Sequence, residues 1–348
     1  MKTYKHLYEK IISLNNLTIA WKKARKGKTA KEYVIEFEKN LNENLRSLRQ
    51  ELLQETYLPQ PLKTFIIRDP KTRVISKSEF KDRIVHHAIV NILEPIYEIY
   101  FIHDSCANRK RKGTLFALRR FDVFKRKVSK NGKQVNNGYP NANFVQGYCL
   151  KADIRKYFDT VDHEVLIKLL KRRIKDKQTI SLIKKIIFNF HSRKGMPLGN
   201  LTSQFFANIY LHEFDLFVKH VLKAKHYIRY VDDFVILHRN KRQLDKWKER
   251  INNFLITELK IELHPEKSKI IPLALGVDFV GFRSFYHYKL LRKRNIKSMR
   301  RKIGLCKEGV IIPAGLCEIY QGWQAYARWA DTYKLRQSLV QEINSLQR

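Results

Sequence analysis

The apolar positions along the chain change period several times, and the changes mark its elements. From residue 6 to 60 the period is helical. Val34, Phe37, Leu41, Leu45 and Leu48 recur three or four apart, Lys23 to Lys31 form a Gly/Lys-rich break, and Pro59 and Pro61 close the region. Phe65-Ile66-Ile67 and Val74-Ile75 flank Arg68-Asp69-Pro70-Lys71-Thr72-Arg73, which predicts a hairpin. A helix is expected over 80–100, broken or kinked at Pro95, then a basic loop from Asn108 to Gly113 and a helix over 114–127. Asn, Gly and Pro crowd residues 128–142, which read as a loop. Phe144 to Asp153 reads as a strand. Asp162 reads as the cap of a helix over 163–174, and a second helix is expected over 178–190. A turn-like stretch from Arg193 to Gly199 precedes a long amphipathic helix over 202–222. Tyr227 to His238 reads as a second hairpin, tight at Val231-Asp232-Asp233. A helix over 241–256, short strands near 261–263, 268–271 and 277–282, and a mostly helical tail over 293–348 complete the pattern. This order predicts an α+β fold with a mainly antiparallel sheet.

Composition narrows the partners. A chain of 348 residues with 44% hydrophobic content can bury a real core in one to three domains. Seventy Lys and Arg face 33 Asp and Glu, a formal charge of +37 spread from Lys2 to Arg348. That distribution suits a broad cleft for a polyanion, with a basic solvated surface or an anionic membrane as alternatives. Cys106, Cys149, Cys306 and Cys317 form no close pair and read as reduced thiols of a cytosolic protein. Met1 to Leu17 is broken by Lys and Glu, so no secretory signal is expected, and no run of about 18 apolar residues predicts a membrane span.

The candidate chemistry lies in carboxylates. Asp232 and Asp233 are adjacent between two apolar strands; in isolation they read equally well as a plain turn, since Asp is a common turn residue. Asp153 ends another apolar strand, and if that strand lies beside the 227–238 hairpin the carboxylates can share two Mg²⁺ ions. Asp159 and Asp162 read as cap or loop residues.

These motifs together resemble those of reverse transcriptases. Arg229-Tyr230-Val231-Asp232-Asp233 is similar to their signature turn, and Asp153 with Phe158-Asp159 to their first catalytic motif. In order along the chain, Arg68 to Ile75 resembles the fingertip hairpin, and Asp82-Arg83-Ile84-Val85 with Leu93-Glu94-Pro95 the next helical block. Ser105 to Gly113 resembles the basic loop after it, His264 to Ser268 the motif after the catalytic turn, and Phe279-Val280-Gly281-Phe282 the primer grip. The resemblance covers roughly residues 55 to 285, and one such turn alone would be weak evidence. It implies Asp153, Asp232 and Asp233 as catalytic residues and, with Ile154, as the metal set for two Mg²⁺ ions that Mn²⁺ can replace. It implies Arg68 and Arg73 as triphosphate ligands, or else a solvated basic turn. Phe158 would be a sugar gate against ribonucleotides, or else a core aromatic. Lys267 would assist the leaving phosphate, or else be an exposed lysine. Phe279 and Gly281 fall in the primer grip.

Met196 to Gln204 separates subclasses. Leu198 stands before Gly199, where group II intron and retroviral relatives commonly carry glutamine, and Gln204 follows Ser203. This pattern resembles the reverse transcriptases of diversity-generating retroelements, which copy a template RNA with errors at adenines. Leu198, Gly199 and Gln204 are then expected beside the nucleotide, where a leucine cannot hydrogen-bond as glutamine can. Arg292 to Lys302 is basic and is expected to face duplex backbone. Trp323, Tyr326 and Trp329 recur at three-residue spacing, which suits core packing more than base stacking.

The resemblance implies a right-hand polymerase: an N-terminal helical extension over 1–60, fingers over 61–143, a palm over 144–285 with fingers elements near 163–200, and a thumb over 286–348. The implied partners are template RNA, the RNA/cDNA duplex, dNTPs and a separate accessory variability protein, with no membrane, for a cytoplasmic, bacterial or phage-encoded enzyme. No His-Asn-His nuclease pattern and no ribonuclease H segment is expected. The alternatives are a group II intron-like, retron-like or phage-defence reverse transcriptase, or a non-catalytic RNA-binding or chaperone protein.

Overall fold

In the computed structural model, which describes residues 2–68, 72–134, 144–190 and 193–346, Cα proximity divides the chain into two units. The first comprises residues 1–110, 154–224 and 249–265, and the second 111–153, 225–248 and 266–348.

The first unit is mostly helical. It holds α1 (Tyr8–Ile12), α2 (Leu14–Arg25), α3 (Glu32–Lys39), α4 (Leu41–Leu53), the hairpin β1 (Lys63–Ile67) and β2 (Arg73–Lys77), α5 (Phe80–Glu98) and the short β3 (Ser105–Cys106). The second unit begins with α6 (Thr114–Val128) and β4 (Tyr148–Asp153). The chain then returns to the first unit for α7 (Tyr157–Thr160), α8 (His163–Arg173), α9 (Lys177–Phe188) and α10 (Leu201–Leu216). Two buried helices organise this unit. Helix α5 buries Ile84, Val85, Ala88, Ile89 and Leu93 against α2 and α10. Helix α10 is buried on nearly every face, its polar Thr202, Ser203, Asn208, His212 and Asp215 included, where one apolar stripe was expected, and it ends in a π-turn over 217–221. Asp176 fastens the N-terminal segment to α9. Its carboxylate accepts the amides of Leu7 (2.8 Å) and Tyr8 (2.7 Å) while capping the helix at Gln178.

The second unit carries the sheets. Strands β5 (Tyr227–Tyr230), β6 (Asp233–His238) and β7 (Lys269–Pro272) join β4 in the order β5-β6-β4-β7, and each of these three pairings is antiparallel. Helix α11 (Lys241–Leu259) follows β6. A smaller sheet has the order β10-β9-β8, from β8 (Val277–Phe279), β9 (Phe282–Ser284) and β10 (Lys289–Leu291). Helix α6 covers β5 and β6, and its Phe121 meets Phe279 with ring centroids 5.7 Å apart. Helices α12 (Lys293–Lys307), α13 (Pro313–Ala327) and α14 (Tyr333–Ser345) close around Met299, Ile303, Leu316, Tyr320, Leu339 and Ile343.

The α+β architecture and the order of elements match the sequence expectation, with four local corrections. Helix α5 is not broken at Pro95. The proline sits in its last turn, where it forfeits a single backbone bond, and the apolar face carries the helix on to Glu98. The strand expected from Phe144 starts at Tyr148, because Tyr148 pairs with His238, the last residue of β6, and nothing in that strand lies beyond it. Residues 261–263 form one bridge, Leu263 to Ile154, rather than a strand. Helix α7 and strand β10 were not expected. Asp69 to Lys71 of the turn between β1 and β2, and 135–142 of the loop expected over 128–142, lie outside the described residues. No described helix is long and apolar enough to cross a membrane, and all four cysteines are free thiols.

Candidate active site

The β5–β6 hairpin turns in two residues. Tyr230 pairs with Asp233, which leaves Val231 and Asp232 as the loop. Val231 has φ +57°, a conformation that β-branched residues rarely adopt. The buried Arg229 holds it there by donating from its guanidinium to the Val231 carbonyl at 3.0 Å. Asp232 is thereby presented at the apex, and Asp233 becomes the first residue of β6.

Register brings in the third carboxylate. Asp153, the last residue of β4, is the direct cross-strand partner of Asp233. Two like charges at that spacing repel, and the structure sets two lysines against them. Lys267 donates to Asp153 Oδ2 at 3.0 Å, and Lys151 Nζ lies 3.2 Å from Asp233 Oδ1. Lys151 stands two residues before Asp153 and so shares its face of the strand. That spacing is a signal the sequence reading passed over. Burial pushes the Asp233 carboxyl up to about 6; Lys151 pulls it down, Asp153 raises it further and Arg292 lowers it.

Among the described residues, no group of three or more His, Cys, Asp or Glu side chains forms a cluster ready for a metal ion. The donor chemistry still fits Mg²⁺, which takes oxygen ligands and commonly uses one or two carboxylates, with waters and substrate phosphates completing its shell. The opposed Asp153 and Asp233, with Asp232 in the adjoining turn, supply that part.

Phe279 and Gly281, expected in the primer grip, also lie in the second unit. Phe279 is fully buried, and Val280 (φ +41°) and Gly281 (φ +93°) make the turn from β8 into β9. A Cβ on Gly281 would collide with the Tyr326 hydroxyl, so only glycine fits beneath that ring. Trp323, Tyr326 and Trp329 pack with Phe282, Leu291 and Ala327, and the Arg119 guanidinium lies 4.7 Å from the Trp329 ring centre. The aromatic spacing is core packing, as expected.

The remaining candidates fall in the first unit. Arg73 opens β2 and Arg68 follows β1, both exposed. Ile154 is buried beside Leu263. Phe158 lies half-buried on α7, its carbonyl accepting the Met196 amide at 2.6 Å. Leu198 accepts the Ser76 amide at 2.9 Å, which ties the 195–199 loop to the hairpin. Gly199 has φ +114°, and a Cβ there would stand 2.8 Å from the Ile75 side chain. Gln204 is half-buried in the first turn of α10. In the basic loop, Arg109 turns inward. It chelates Glu98 (2.7–3.1 Å) and donates to the Ile102 and Ser105 carbonyls at 2.8 and 2.7 Å, so it holds the fold.

An antiparallel sheet with a carboxylate at the end of one strand and two more at a tight hairpin beside it has the donor set that cation-assisted phosphoryl chemistry would require. The family described as reverse transcriptase (RNA-dependent DNA polymerase) matches residues 67–284, and the chain belongs to that family. It is 28% identical over 293 residues to Protein YkfC of Escherichia coli K12, covering 72% of each chain. It is 26% identical over 314 residues to the group II intron-encoded protein LtrA of Lactococcus lactis, covering 69% of this chain and 49% of that one. Among solved structures, apo telomerase from Candida tropicalis truncated from its C-terminal domain is similar at 15% identity and a TM-score of 0.49, covering 71% of this chain and 59% of that chain.

Proposed function

We propose that the protein is an RNA-directed DNA polymerase that extends a primer along an RNA template. The observation that carries this is the direct opposition of Asp153 and Asp233 across β4 and β6, with Asp232 at the adjoining turn. Two Mg²⁺ ions, replaceable by Mn²⁺, would activate the primer 3′-hydroxyl and stabilise the leaving pyrophosphate. Asp153 and Asp232 would hold them, with Asp233 as third carboxylate and the Ile154 main chain alongside. Lys267, which donates to Asp153, would meet the leaving phosphate. Arg73 and Arg68 offer planar forks to the triphosphate, and Phe158 excludes a 2′-hydroxyl. In this reading β4 to β9 form the palm with its primer grip at Phe279 and Gly281, β1 and β2 the fingertip, and α12 to α14 the thumb. Extension of a DNA primer on an RNA template, lost in Asp232→Ala/Asp233→Ala, is the expected result; equal extension by that variant would refute the reading.

Within this activity we infer the error-prone copying of a diversity-generating retroelement, working with a structured template RNA and a separate accessory protein. The support is Leu198 before Gly199, followed by Gln204. At this position the protein offers the base pair an apolar side chain, which weakens discrimination. Sequenced products should show errors gathered at template adenines, reduced in Leu198→Gln; unchanged adenine errors in that variant would remove Leu198 from the account. The similarity to LtrA favours a second reading, an intron-type enzyme, for which accurate copying by the wild type is the expected result.

A further inference from the structure

The first unit carries a groove that the polymerase reading leaves unused. Helices α8 and α9 run together, and three cavities of about 610, 650 and 370 Å³ follow their seam. The first two share His163, Glu164 and Phe188 in their walls; the second and third share Lys171, Lys175 and Lys184. The three therefore adjoin one another along that seam.

Sequence spacing explains its lining. Lys168, Lys171 and Lys175 fall three and four apart and make one stripe along α8 and just beyond it. On α9, Lys177, Ser181, Lys184 and Phe188 make a second stripe at the same spacing. None of Lys168, Lys171, Lys175, Lys184 and Arg193 has a carboxylate partner among the described residues. The carboxylates along the groove are already engaged. Asp162 caps α8 and pairs with Lys260 at 3.0 Å, and Asp176 accepts four backbone amides. Glu164, 3.9 Å from Lys260, is the one exposed acid. At one end the cations give way to two rings, Phe188 at 53% exposure and the half-buried Phe190.

A row of unpaired cations leading to exposed rings in a recess is the chemistry of a single-stranded nucleic acid, whose phosphates follow the charges while an unstacked base covers a ring. An anionic membrane would satisfy the lysines but offers nothing planar for rings lying in a groove. A duplex hides its base faces. We propose that the α8–α9 groove is a second, non-catalytic binding track for single-stranded nucleic acid, with Lys168, Lys171, Lys175, Lys184 and Arg193 on the phosphates and Phe188 stacking a base. Every one of these residues lies outside the carboxylate set, so the track can exist whether or not the polymerase assignment is right.

The test is lysine-acylation footprinting of the full chain in EDTA, read by mass spectrometry. The probes are single-stranded RNA and DNA oligomers of roughly 12 nucleotides, a duplex of the same RNA, and phosphatidylserine vesicles. Several-fold slower modification of Lys168, Lys171 and Lys184 with a single strand, and not with duplex or vesicles, is expected; whether RNA or DNA protects better identifies the source. Phe188→Ala should weaken that protection about tenfold in oligomer concentration, the loss of one stacked base. Protection by vesicles alone makes the groove a membrane surface, equal protection by duplex removes the stacking, and no protection by any probe removes the site. Each of these three results overturns the proposal. Running in EDTA and reading only α8 and α9, the assay is independent of polymerase activity.

Discussion

Replacing Asp233 by asparagine should make the protein more stable at neutral pH. Burial of this carboxylate beside Asp153 outweighs the help of Lys151 and Arg292, and its pKa rises from 3.8 to about 6. A folded-state pKa above the unfolded one means that ionisation opposes folding. Below about pH 4 both states are protonated and nothing is lost; between 4 and 6 the unfolded chain ionises first, and above 6 the full cost is present. Two pK units at about 1.4 kcal/mol each give a cost of about 3 kcal/mol. The side chain is 28% exposed, so this is an upper figure. Asparagine keeps the shape without the charge. Thermal unfolding in EDTA should show Asp233→Asn melting on the order of 5 °C above the wild type near pH 7.5 and level with it near pH 4. With Mg²⁺ the wild type should recover part of the gap by linkage, and the variant should not. A variant no more stable than wild type at pH 7.5, or one equally stabilised at pH 4, would show that ionisation of Asp233 is not the source of strain.

Other substitutions probe the surroundings. Gly281→Ala drives a methyl into the Tyr326 hydroxyl and should lower stability by about 1–3 kcal/mol. Adding Tyr326→Phe should restore part of the melting temperature in a double-mutant cycle, and full additivity would deny the contact. Arg109→Ala removes a buried guanidinium from its three partners, Glu98, Ile102 and Ser105, and should cost about 3–5 kcal/mol in denaturant unfolding; a near-neutral effect would deny it that structural role. Arg73→Ala, at an exposed position, should leave the melting temperature unchanged while raising KM for dNTP several-fold, and an unchanged KM would exclude it from the triphosphate site.

The carboxylate arrangement was legible because its two determinants are local. Apolar residues flanking Val231 and Asp232 fix the hairpin, and an apolar run ending at Asp153 makes a strand that belongs beside it. Period-two alternation then aligns the charged ends. What stayed hidden depends on partners distant in sequence. Strand β10 is three residues long and exists only because β9 offers it an edge. The loss of 144–147 from β4 follows from where β6 stops. Lys151 gains its role only from register, which sets it diagonally across from Asp233. Arg229 has a buried role inside a motif whose charge suggests the surface. Arg109 is a similar case: four consecutive basic residues read as a loop, and one of them turns inward to Glu98. Pro95 shows that a breaker counts for little where one lost hydrogen bond competes with a long, mostly apolar buried helix face.

The most direct test of the central claim is the rate of adding a single deoxynucleotide to a DNA primer annealed on RNA, in Mg²⁺, by wild type, Asp153→Asn and Asp232→Asn, alongside their affinities for the same duplex. If these carboxylates hold the reacting phosphates through metal, each variant loses on the order of 10³-fold in rate, about 4 kcal/mol of transition-state stabilisation, while duplex affinity stays within a few-fold. Addition at the wild-type rate, or a loss accounted for wholly by weaker duplex binding, would contradict the assignment of Asp153 and Asp232 as the catalytic centre.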